Sequence, residues 1–145
     1  MVNVKVFQIC LLSDLIGIKM VGIALYGLLF ILSLFFILHL CILLKIVHYS
    51  HVWGGRLKSD KEMYRFEIVS VLINLLFILF ILILAGFLPI DMSNTIKTSV
   101  LWIMTVLFLL NTIGNATSKN KREKRLFTPI TILLALFSLI LVLTI

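Results

Sequence analysis

Three groups of side chains in this sequence could do chemistry. The first lies in HYSHVWGG, residues 48–55, where His48 and His51 stand three apart and His39 precedes them by nine. Imidazoles bind haem iron or relay protons. Haem in a bundle needs ligands from facing helices, and all three histidines fall on one helix or its end. One chain therefore offers no opposed pair, and no cofactor is expected; a dimer could supply one, which keeps a haem or quinone redox protein as a third reading. The plainer reading is an interfacial Trp53 followed by a Gly54-Gly55 turn.

The second group is Glu67, Ser70 and Asn74, a polar line inside an apolar run. A carboxylate at that depth is expensive unless it is paired or snorkels to the interface. One reading is a salt bridge to a cytoplasmic Lys or Arg, for instance from residues 119–125. The other is the mouth of a polar path or proton relay. Asn74 is expected to bond a neighbouring helix, a contact of about 1 kcal/mol. The third group is KNKREKR, with Lys119, Lys121, Arg122, Lys124 and Arg125 within seven residues. It could hold an acidic partner or anionic headgroups, or it could only fix topology.

Other chemistry is poorly supplied. The sequence has no Ser-His-Asp or Cys-His set, no HExxH and no phosphate loop. Its two cysteines, Cys10 and Cys41, lie far apart and make no zinc spacing. Neither a metal site nor catalysis is expected.

These groups must be positioned by elements suited to lipid. The 145 residues are 62% hydrophobic, with a mean hydropathy of +1.23. Soluble domains average about 45–50% apolar residues, and a chain this short cannot hide such an excess from water. Four stretches approach the roughly 20 apolar residues that cross a bilayer, and unpaired strands cannot cross it. Helices are predicted at about 20–47, 66–90, 96–114 and 129–145. The fold class expected is all-α, an integral membrane four-helix bundle in one domain. SDKE, residues 59–62, reads as a capping box that starts the second helix. Thr128-Pro129 reads as the start of the fourth. Val6 to Ile18 is too short to span and reads as an interfacial segment, a signal peptide being disfavoured for want of an A-x-A site.

Charge predicts orientation. The 48–65 loop carries Arg56, Lys58, Lys61 and Arg65, and the 115–128 loop carries the KNKREKR run. With Lys45, these make ten basic residues, against Lys5, Lys19 and Lys97 on the other side. The bias places both loops in the cytoplasm and both termini outside. The net charge of +7 is thereby assigned to topology and anionic lipid, and not to nucleic acid.

Small and hydroxyl residues mark where helices touch in lipid. Gly22 and Ser33 in helix 1, Thr105, Asn111 and Thr112 in helix 3, and Ala135 and Ser138 in helix 4 are the expected packing positions.

LNTIGNATSKNKREKRLFTPITILLALFSLILVL, residues 110–143, resembles the end of a group of small multi-pass membrane proteins of Gram-positive bacteria. Asn111, Thr112, Gly114, Asn115, Glu123, Lys124 and Pro129 carry the likeness, which covers the last quarter of the chain. It implies four helices and a bacterial plasma membrane, and it carries no known activity. The function expected is that of a non-catalytic accessory, stress or immunity-type protein acting through a membrane protein partner or as a homo-oligomer. The alternative is a small oligomeric transporter or channel using Glu67 and Asn74.

Overall fold

The computed structural model describes the backbone of residues 4–52 and 57–145, and the side chains of 15–50, 52 and 57–145. The Trp53-Gly54-Gly55 turn, Arg56 and the side chains of Lys5, Cys10 and His51 lie outside the described residues. Four helices follow in order: α1 (Val4–Leu43), α2 (Asp60–Leu84), α3 (Asn94–Ala116) and α4 (Lys121–Thr144), with a 3-10 turn at Tyr49–His51. All four are long and apolar enough to cross a membrane. The protein is thus all-α, a membrane-type four-helix bundle.

Neighbours in the bundle run α2, α1, α4, α3. Helix α1 packs on both α2 and α4, and α4 packs most extensively on α3. Helices α2 and α3 scarcely approach each other, although only the segment 85–93 joins them. The bundle is therefore open along one seam. Its main core gathers Ala24, Leu28, Ile81, Leu101, Met104 and Leu134, all fully buried. Ile23, Phe30, Leu76, Leu109 and Leu136 project outward, as residues facing lipid should.

The ends of α2 show how local chemistry sets boundaries. Ser59 Oγ accepts the Glu62 N–H at 3.3 Å, and Glu62 Oε2 accepts the Lys58 N–H at 2.8 Å. The capping box is present, with the glutamate reaching one residue further back than the usual pattern. At the other end Gly86 adopts φ +79°, and the Gly86 and Phe87 N–H groups bond the Ile83 and Leu82 carbonyls. That Schellman closure stops α2 at Leu84, short of the expected Ile90. Helix α1 ends the same way: Lys45 takes φ +59°, and the Lys45 and Ile46 N–H groups bond the Ile42 and Cys41 carbonyls.

Two expected boundaries are corrected. Residues 6–18 are not separate from the first helix but part of the continuous α1. Ser13, Asp14 and Gly17 do not break a helix on their own. Helix α4 starts at Lys121, eight residues before Pro129, which lies inside it. Asn120 is the cap, its Oδ1 accepting the Arg122 N–H at 3.0 Å. Pro129 denies the Arg125 carbonyl a helical partner. Both residues are exposed. From Lys121 to Arg125 the basic run is hence the start of α4, and the connection it was expected to fill shrinks to Thr117–Asn120.

Candidate functional site: a polar cavity between α2 and α3

The open seam leads to a cavity of about 320 Å³ in the half of the bundle near the 44–59 connection. Its polar lining is His39 from α1, Ser70 and Asn74 from α2, Asn111 and Asn115 from α3, and Glu123 and Thr131 from α4. Phe35, Phe77, Phe108 and Phe127 supply much of the apolar lining. Phe77 meets Phe108 edge-on with centroids 5.8 Å apart, a contact that bridges the seam between α2 and α3. Ile73, Leu110 and Asn111 line the cavity yet are themselves exposed. The mouth therefore opens sideways between α2 and α3. Val52 also contributes to the lining from the connection side and packs with a small cluster of Ile42, Leu57 and Met63.

Two buried carboxylates flank this space. Glu67 is fully buried, and its Oε2 lies 2.7 Å from His39 Nδ1. The carboxylate accepts, so Nδ1 carries the proton in this contact. Phe35 meets the His39 ring edge-on at 6.5 Å. A salt bridge from Glu67 to a cytoplasmic Lys or Arg was one expectation; the partner that the described contacts give it is this imidazole. An imidazole reaches it because α1 and α2 run antiparallel, which sets the last turns of α1 against the first turns of α2. Glu123, also buried, accepts a hydrogen bond from Ser118 Oγ, which in turn accepts the Asn120 N–H at 3.1 Å. Asn74 is 7% exposed, and its Oδ1 is buried without a hydrogen-bond partner among the described residues.

The remaining candidates scatter. Asn111 lines the cavity mouth. The Thr105 and Ser138 hydroxyls lie 3.0 Å apart across α3 and α4, each also against a carbonyl of its own helix. Ala135 is in the core. Ser33 and Thr112 donate to Leu29 and Phe108 carbonyls within their own helices, at 2.7 and 2.8 Å. The close approach in α1 falls at Gly27 and not at Gly22. A Cβ at Gly27 would stand 2.5 Å from a Phe137 ring carbon of α4, whereas one at Gly22 would meet nothing within 4 Å. Lys119, Lys121, Arg122, Lys124 and Arg125 are all exposed. His48 stacks on Tyr49 and bonds Ser50, outside the cavity lining.

Sequence reasoning missed His39, Asn115, Glu123 and Thr131 as partners in one space. A signal for Glu123 was present: Asn120-Lys-Arg-Glu123 repeats the spacing of Ser59-Asp-Lys-Glu62. No family model, curated protein or solved structure compared with the chain matches it.

Proposed function

We propose that the chain is a non-catalytic accessory-type membrane protein that acts by holding a membrane-resident partner at the α2–α3 seam. The observation that supports this best is the mouth itself. A polar cavity that opens sideways, between two helices that barely touch, is reached from within the bilayer. The groups lining it are hydrogen-bonding amides, hydroxyls and a carboxylate, suited to retaining a ligand. A photoreactive residue at Leu110, on the mouth, should give a defined adduct that the same residue at Leu109 does not. Leu109 is exposed but does not line the cavity. Identical products at both positions would refute the reading.

A second reading, a small oligomeric transporter, is favoured by Asn74, which lines the same space and whose buried Oδ1 has no partner among the described residues. Solute flux in vesicles that fails in Asn74→Leu would support it over the first.

Placement in a bacterial plasma membrane with both termini outside is likewise proposed. It is supported by the charge bias and by the resemblance of residues 110–143. Asn120→Cys, in a variant lacking Cys10 and Cys41, should resist an impermeant thiol reagent in intact cells and react in inverted vesicles. Labelling of intact cells would reverse the orientation.

A further inference from the structure

We infer that the cavity takes the primary ammonium group of a membrane-soluble amphiphile, with Asn74 Oδ1 as its first acceptor. The inference rests on the binding reading above and names the chemistry of what is bound. The unpartnered oxygen is the starting observation. Asn74 is more than nine-tenths buried, lines the cavity, and carries an acceptor that nothing among the described residues satisfies. A buried acceptor left unpaired costs free energy that an incoming donor recovers.

The walls then select among donors. Asn111, Asn115 and Thr131 offer further acceptor oxygens, and the carboxylate of Glu123 adds negative charge. No Lys or Arg stands among the described lining residues. An ammonium group carries three donors, no acceptor and a positive charge, so it matches this wall. An alcohol lacks the charge, and a quaternary ammonium lacks the N–H groups. Phosphate or carboxylate would bring a second negative charge to a wall that carries Glu123 and no described Lys or Arg.

The rest of the space selects the tail. Phe35, Phe77 and Phe108 line the interior, and the exposed Ile73 and Leu110 stand at the mouth. An occupant with its ammonium at Asn74 and its hydrocarbon leaving through that mouth buries both ends in matching surroundings. The same primary ammonium is offered by an aminophospholipid headgroup and by a free alkylamine.

The test uses the full chain in phosphatidylcholine nanodiscs, titrated calorimetrically with dodecylammonium, dodecanol and dodecyltrimethylammonium against empty discs. Dodecylammonium should bind saturably at one site per chain, at least ten-fold more tightly than the other two. Asn74→Leu should weaken it about ten-fold, and Asn111→Leu, an exposed position at the mouth, several-fold. Leu109→Ala should leave it unchanged. Equal binding of the alcohol or the trimethyl compound overturns the ammonium assignment. Undiminished binding in both asparagine variants overturns the site, and the Asn111 variant keeps that result readable if the Asn74 variant does not fold. Discs containing phosphatidylethanolamine divide the sources: competition with dodecylammonium assigns the ammonium to a lipid head, and its absence to a free amine. A Leu110-specific adduct without amine selectivity overturns this inference alone. Loss of both overturns the binding reading as well.

Discussion

The half of the bundle near the 44–59 and 117–120 connections encloses a polar cavity. The half near 85–93 is closed by apolar packing of Ala24, Leu28, Ile81, Leu101 and Leu141. The first half holds His39, Glu67, Asn74 and Glu123 in or beside its interior. Its counterpart holds its helices together by close approach, as where Gly27 meets Phe137. In lipid, apolar side chains gain little by leaving the solvent, so association needs either tight packing or hydrogen bonds. This protein uses packing at one end and directional polar contacts at the other. Polar contacts hold helices apart at fixed distances, and that leaves room for the cavity.

Breaking the polar half should have the largest effect. His39→Leu removes the Glu67 contact and is expected to cost about 1.5–3 kcal/mol, as for a hydrogen bond to a charged group. Adding Glu67→Leu should restore part of the loss, because the buried carboxylate goes too. Thermal denaturation of the two single variants and the double variant in detergent forms a cycle that reads this coupling. Additive losses would show that the pair does not organise this half.

The apolar half should answer to volume instead. Gly27→Ala places a methyl group against the Phe137 ring and should cost about 1–3 kcal/mol, as overpacking does. Gly22→Ala, with nothing within 4 Å, should be neutral or slightly stabilising. If both substitutions behave alike in the same denaturation assay, close approach is not what holds α1 to α4.

Between the halves lies the Thr105–Ser138 contact of α3 and α4. Thr105→Val should cost only about 0.6–1.7 kcal/mol, the range for single hydrogen bonds between membrane helices. A larger loss would extend the polar logic deeper than the comparison allows.

The smallest effect is expected at the surface. Lys45 Nζ lies 2.6 Å from Asp60 Oδ2, with both side chains more than half exposed. The hydrogen bond and charge of Asp60 raise the ammonium above its ordinary value of 10.5, and Tyr64 adds to this. A raised lysine contributes stability below its ordinary value and loses it as pH climbs through the folded one. The difference in melting temperature between wild type and Asp60→Asn should therefore be small and constant from about pH 6 to about pH 9, as exposed pairs contribute little. A difference that changes within that window would point to another titrating partner.

Much of the fold was legible because its signals are local. Apolar length marked four helices, and Ser59 with Glu62 marked the start of α2. The error at α4 was also local: Pro129 was given more weight than Asn120, and the repeated cap spacing at Glu123 went unused. The same spacing then leads to opposite outcomes. Glu62 is exposed and bonds the Lys58 N–H, whereas Glu123 is buried beside the cavity. Nothing in either tetrapeptide separates them.

The sequence by itself determined that the chain is a bundle of membrane-length helices, since hydropathy, caps and turns act within a few residues. It also marked Glu67 and Asn74 as polar groups in apolar surroundings. Only the tertiary structure decided that His39 is a partner of Glu67, that α4 brings Glu123 to the same space, and that α2 and α3 stay apart. Those outcomes depend on which helix faces lie opposite, and on how antiparallel neighbours set the end of one helix against the start of the next. Helix order in a membrane is selected by many weak packing contacts of similar energy, a sum over the whole bundle that no single stretch of sequence contains.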